Sequence, residues 1–182
     1  RLSLVGSEMC IRDSNNSVLE SIINKCNNTS IHISLFHADE WFVPTLDFWA
    51  KREINNTKVV PELKPPTEVL KSWKQEGKGG HKIMCMGEDT EIDYLYHALE
   101  KEHANDIHLY RSKSTYIEIS HRSISKKTAI ETLINICYPH IAMHEVVAFG
   151  DNYNDVEMLK SVGLGIAVAN ANDCLLYTSP SP

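Results

Sequence analysis

The sequence predicts an α/β protein in two parts: a mixed α/β lobe over residues 15–121 and part of a doubly wound core over residues 122–173. Three observations carry this reading. Helical and strand spacing of apolar residues alternate through the first part. The run Val146-Val147-Ala148-Phe149 has no polar alternation, as in a parallel strand buried on both faces. A polar loop, a helical pattern and a second apolar run follow it, which is the order of a βαβ unit.

In the first part, Val18, Leu19, Ile22, Ile23 and Cys26 recur at helical spacing. Ile31, Ile33 and Leu35 alternate as a half-buried strand, joined by a turn at Ala38-Asp39 to Trp41-Phe42-Val43. Pro61, Pro65 and Pro66 punctuate a connection, after which Val69, Leu70 and Trp73 mark a short amphipathic helix ending in the loop 77–80. Residues 81–86 read as a strand, 91–103 as a helix with Ile92, Leu95, Tyr96 and Leu99 on one face, and Thr115, Ile117 and Ile119 as a strand leading out of the lobe. The expectation is one sheet with helices on one side. In the second part Ile130, Leu133, Ile134 and Cys137 line a helix stopped by Pro139. Met158, Leu159 and Val162 line another, closed by Gly163, before the strand 165–168.

Composition narrows the functional classes. At 42% hydrophobic and 23% charged residues the chain can bury a core. It has no apolar run near the roughly 18 residues of a spanning helix, so no membrane partner is expected. The stretch Leu2-Ser3-Leu4-Val5-Gly6 is interrupted by Glu8 before it could form a signal-peptide core, which makes the expected location cytoplasmic. A net charge of −6 argues against nucleic acid as a partner, because a phosphate backbone demands a basic face. Lys71, Lys74, Lys78 and Lys82 read as a solvated surface. The five cysteines form no C-x-x-C pair, and the histidines lack a zinc-site spacing, so reduced thiols and no zinc are expected.

The chemistry concentrates in the loop Gly150-Asp151-Asn152-Tyr153-Asn154-Asp155. Ligands of open parallel sheets bind beyond the carboxyl ends of the strands, and this loop follows such an end. Asp151, fixed between a strand and a helix, suits a hard cation such as Mg2+, with Asp155 as a second candidate ligand. Asp155 can also cap free N–H groups, and Asn154 can turn its amide toward a bound anion. A plain turn with an N-cap is the ordinary alternative. An EF-hand fails on spacing, since Tyr153, Val156 and Val162 stand where an oxygen ligand, a glycine and a glutamate are needed. A second element favours chemistry: Ser125-Lys126-Lys127 opens the helix that precedes the strand. Lys126 can place positive charge in the same crevice, as phosphoryl transfer requires, although a cation is disfavoured in a first turn.

These residues carry a family resemblance. Ser125-Lys126 before a helix, together with 150–159 and 163–168, resembles the lysine and final acidic motifs of the Cof-type, class IIB haloacid-dehalogenase-superfamily (HAD) hydrolases. The resemblance covers residues 15–173. It implies a Rossmann-like HAD core with a class IIB cap, and a magnesium-dependent phosphatase of small phosphorylated metabolites, such as sugar phosphates or phosphorylated cofactors, acting through an aspartyl-phosphate intermediate. It further implies that Asp151 binds Mg2+, Lys126 holds the phosphoryl group and the nucleophile, Asn154 touches the substrate phosphate and Asp155 supports the loop. Lys127 stands where the family usually has glycine. A phosphosugar mutase of the same superfamily and a non-catalytic α/β binding module are the rival readings.

The D-x-D-G motif that carries the family's nucleophile has no counterpart here, so the chain is expected to be a fragment, inactive by itself. Residues 1–14 and 174–182 resemble translated sequencing-adaptor reads and are expected to be foreign or disordered tails. A hinge is expected near residues 121–125.

Overall fold

The computed structural model describes residues 16–176, which divide into two compact units, 16–122 and 123–176. The expected tail 1–14 lies outside the described residues.

In the larger unit the strands are β1 (His32–His37), β2 (Glu40–Val43), β3 (Glu62–Leu63), β4 (Lys82–Met86), β5 (Ile107–Lys113) and β6 (Tyr116–His121), in the sheet order β3-β2-β1-β4-β6-β5. Every neighbouring pair is antiparallel except β2 with β3. The helices are α1 (Asn16–Cys26), α2 (Phe48–Thr57), α3 (Pro66–Glu76) and α4 (Asp89–His103). One face of the sheet sends Ile33, Leu35, Ile83, Cys85, Ile117 and Ile119 into a core shared with Leu19 and Ile22 of α1, Trp73 of α3 and Leu95 and Leu99 of α4. Truncating a side chain as large and as buried as Trp73 costs about 3–5 kcal/mol. Gly77 ends α3 in the left-handed region, φ 67°, which a residue without Cβ adopts freely.

Helices on one side only is the expectation that fails. Trp41 and Val43 point away from the main core and pack with Ala50 of α2, and Phe36 and Ile54 pack against them, while Phe42 between them joins the main core. Trp41, Phe42 and Val43 of β2 are therefore all buried, one face under α3 and the other under α2. Cys26 and Cys85 meet as free thiols in the main core, and a hydrogen bond with Cys26, then burial, pushes the Cys85 thiol up.

The smaller unit contains α5 (Lys126–Cys137), β7 (Val147–Gly150), α6 (Val156–Ser161), β8 (Leu164–Ala167) and α7 (Asp173–Leu176), with β7 and β8 paired in parallel. Ala148, Met158, Leu159 and Leu175 form its core. β7 is not buried on both faces. Val147 and Phe149 are 53% and 63% exposed while Ala148 and Gly150 are buried, because among the described residues α6 and α7 pack on one side of the pair. Gly163 does not close α6 by a left-handed turn either. Its φ is not positive, and its role is steric: a Cβ there would strike the His144 carbonyl, which lies against it as Gly163 N–H donates to Met143 O at 3.0 Å. The boundary expected at residue 174 falls inside α7, where Leu175 is fully buried; 177–182 lie outside the described residues.

Candidate active site

Two elements of the smaller unit bring the charged side chains together. Helix α5 begins at Lys126 because Ser125 caps it: Ser125 Oγ accepts from Thr128 N–H at 3.2 Å and Thr128 Oγ1 accepts from Ser125 N–H at 2.9 Å. Lys126 thus leaves the helix from its first turn. Strand β7 ends at Gly150, and the chain turns through Asp151 and Asn152 into a short 3-10 turn, Tyr153–Asp155, before α6.

Asp155 is the centre of the arrangement. It is almost fully buried, and both carboxylate oxygens are engaged. Oδ1 accepts from Lys126 Nζ at 2.5 Å, and Oδ2 accepts from the backbone N–H groups of Asp151 at 3.0 Å and Asn152 at 3.1 Å. Burial by itself would raise the carboxyl's pKa, but the Lys126 hydrogen bond and the two amides outweigh it and hold Asp155 below its ordinary value of 3.8. Gly150 makes the folding-back possible, since a Cβ there would lie 2.5 Å from the Asp155 Cβ. That glycine is needed for space; its φ is not positive.

The remaining candidates surround this clasp. The Asp151 side chain is exposed and accepts no hydrogen bond among the described residues, while its backbone is fixed on both sides, by Asp155 at its N–H and by Asn172 N–H at its carbonyl, 2.9 Å. Asn154 is half-buried, and its Oδ1 is a buried oxygen without a hydrogen-bond partner among the described residues. An orphaned acceptor and an available carboxylate in the same loop are both oxygen donors, the kind Mg2+ takes while keeping several waters. Among the described residues no group of three or more His, Cys, Asp or Glu side chains is arranged to hold a metal. The loop 150–155 thus fits such an ion as a part of its ligand set, with Asp151 as its available carboxylate. Lys126 spends one of its three N–H donors on Asp155 and is half exposed, leaving two for an anion.

Of the four residues singled out in the sequence, Lys126, Asp155 and the Asp151 backbone are joined in one hydrogen-bonded group, and Asn154 stands in the same turn. Sequence reasoning missed Asn172. Its Nδ2 donates to Asn152 Oδ1 at 2.9 Å, so the loop after β8 is tied to the loop after β7. The only hint was its position just past the second apolar run, at the neighbouring carboxyl end.

Comparison with known proteins decides the family. The sequence matches the haloacid dehalogenase-like hydrolase family over residues 8–178, nearly its whole length. The chain belongs to that family. A Haemophilus influenzae protein named as a candidate phosphatase is 37% identical over 123 residues, 68% of this chain and 43% of the relative. The 5-amino-6-(5-phospho-D-ribitylamino)uracil phosphatase of Bacillus subtilis is 31% identical over 116 residues, 61% of this chain and 46% of the relative. The chain therefore spans less than half the length of these curated relatives. Among solved structures, a haloacid dehalogenase-like hydrolase from Bacteroides thetaiotaomicron superposes with a TM-score of 0.75 at 20% identity, covering 92% of this chain and 60% of the other. A HAD subclass IIB sugar phosphatase gives 0.73 at 14% identity, with the same coverage. At such identities these hydrolases share the fold, an α/β architecture of the class IIB kind. No helix among the described residues is long and apolar enough to cross a membrane.

Proposed function

We propose that the whole protein to which this chain belongs is a magnesium-dependent phosphatase of small phosphorylated metabolites, and that Lys126, Asp151, Asn154 and Asp155 are its contribution from this region. The observation that carries the reading is the buried Asp155 carboxylate, which holds Lys126 with one oxygen and the start of the Asp151 loop with the other. A lysine and an available carboxylate are thereby set on one support, one for phosphoryl oxygens and one for a cation. Family membership and relatives named as phosphatases agree with this.

In this mechanism Asp155 is a positioning residue; with both oxygens engaged, it is better suited to hold Lys126 and the loop than to meet the ion. Lys126 turns its two remaining N–H donors to the equatorial oxygens of the phosphoryl group, and the Asn154 amide hydrogen-bonds the substrate phosphate. When bound, Mg2+ would be held by Asp151 and would neutralise charge on the transferring group. The nucleophile is proposed to be the aspartate of a D-x-D-G motif, which this sequence does not contain. Its carboxylate oxygen attacks phosphorus as the P–O bond to the leaving alcohol breaks, and water then cleaves the acyl phosphate to release inorganic phosphate. The lobe 16–122 is proposed to act as the cap that selects the substrate.

The test uses the uninterrupted protein and an aryl phosphate with magnesium. Lys126→Ala and Asp151→Asn are each expected to lower kcat/KM by about a hundredfold or more while the fold is kept. Turnover unchanged in both variants would remove these residues from the reaction. Release of an isomerised product in place of inorganic phosphate would make the protein a mutase.

A further inference from the structure

The loop that carries Asp151 is gripped from two sides, and one of the grips comes from a different connection. From within the loop, Asp155 Oδ2 accepts from the Asp151 and Asn152 N–H groups. From outside it, the connection after β8 reaches three successive residues. Val168 N–H donates to Gly150 O at 3.1 Å, Asn172 N–H to Asp151 O at 2.9 Å and Asn172 Nδ2 to Asn152 Oδ1 at 2.9 Å. The peptide groups on both sides of the Asp151 Cα are therefore fixed, while its carboxylate accepts no hydrogen bond among the described residues.

Asn172 is itself held in place. Ala171 N–H donates to Val168 O at 2.9 Å, which turns the chain back at the end of β8, and Leu175 N–H donates to Asn172 O at 2.9 Å as the chain enters α7. Leu175 is fully buried in the core of the smaller unit, so Asn172 stands on an anchored base. Its backbone bond to Asp151 is open to any residue with an N–H. The side-chain bond is not: it needs a donor of this length, and it meets an oxygen already engaged, because Asn152 Oδ1 also accepts from Tyr153 N–H at 2.8 Å. One atom thus closes the turn toward Asn154 and receives the brace from Asn172. Were Asn152 to turn its amide over, Nδ2 would face Tyr153 N–H, donor against donor.

We propose that Asn172 is a positioning residue of the phosphatase reaction, which aims the Asp151 carboxylate and the turn bearing Asn154 by bracing Asp151 O and Asn152 Oδ1 from the connection after β8. The proposal rests on the hydrolase reading above. Asn172 is exposed, so its side-chain bond contributes little to the stability of the fold. Its effect is on direction: groups that orient a metal-binding side chain change metal affinity or activity by about 10–100-fold when they are removed.

The experiment is Mn2+ binding to the uninterrupted protein, read by the electron paramagnetic resonance of the free ion, beside turnover of an aryl phosphate as a function of Mg2+ concentration. Asn172→Asp keeps the size and the backbone N–H but sets an acceptor against Asn152 Oδ1. Asn152→Asp adds the same charge and keeps an acceptor for both Tyr153 and Asn172. Asn172→Asp is expected to weaken Mn2+ binding by about tenfold and to raise the Mg2+ concentration for half-maximal turnover to match, with a wild-type urea midpoint. Asn152→Asp is expected to lose no Mn2+ affinity. Asp151→Asn separates the proposal from the reading beneath it: affinity lost there but kept in Asn172→Asp would overturn the positioning role alone, and affinity kept in both would overturn the hydrolase site as well. Equal losses in Asn172→Asp and Asn152→Asp would make charge the cause. A urea midpoint that falls with the affinity in Asn172→Asp would make it a general loosening. Either result would overturn the positioning role.

Discussion

At the residue scale the sequence marked Asp155 as a carboxylate in a turn, and spacing could not tell which groups its oxygens would meet. The acidic loop, the helix opening at Ser125-Lys126 and the placement of Lys126 toward that loop were legible; the pairing of Lys126 with Asp155 across twenty-nine positions was not, because only the packing of α5 beside the loop determines it. The depressed pKa of Asp155 fixes a sign. Its ionised form is favoured in the fold, so its contribution is full above the unfolded value of about 3.9 and is lost as pH falls through the lower folded value. Asp155→Asn is expected to lower stability at pH 7 by about 1–3 kcal/mol, since an amide cannot accept from Lys126 and both backbone N–H groups with the same oxygens. In urea titrations the gap between wild type and variant should close as pH drops below about 4. A gap that stays constant to pH 2 would mean that Asp155 is not the group being titrated.

At the element scale α1, α3 and α4 were readable because their apolar residues recur on one stripe. Helix α2 was not, for it buries only Ala50 among ten residues and no stripe exists to see. Strand β5 escaped as well, its Ile107 and Leu109 being too few to set an alternation against a bulge between Tyr110 and Lys113. What fixes α2 is its start. Asp47 Oδ1 accepts from Ala50 N–H at 2.9 Å, and Oδ2 lies 2.7 Å from Nδ1 of the buried His32, whose Nε2 meets Ser34 Oγ at 2.9 Å. Asp47→Ala therefore removes a cap and strands a buried ring nitrogen, an expected loss of about 2–4 kcal/mol by chemical denaturation. Asp47→Asn keeps an oxygen for the cap and should lose less. Equal losses in the two variants would show that the oxygen accepting from Ala50 N–H contributes nothing measurable.

At the scale of the whole molecule, the apolar run at β7 was read from the sequence as a strand, and its burial was overestimated because a run of apolar residues does not tell how many layers cover it. Val147, Phe149 and Leu164 together present an apolar face on the β7–β8 pair. Such patches drive association. The purified chain is expected to show concentration-dependent self-association by light scattering, and Val147→Lys with Phe149→Lys to reduce it; a double variant that associates as strongly as wild type would place the sticky surface elsewhere. The division into two units falls between Arg122 and Ser123, and its detail has a mechanical consequence. Arg122 N–H donates to Asp106 O at 2.8 Å inside the larger unit, and Thr128 Oγ1 donates to Ser123 O at 3.0 Å inside the smaller. Each bank of the crossing is moored to its own side, so any swivel between the two bodies is concentrated in the backbone torsions of the Arg122–Ser123 link, a pivot only one peptide wide.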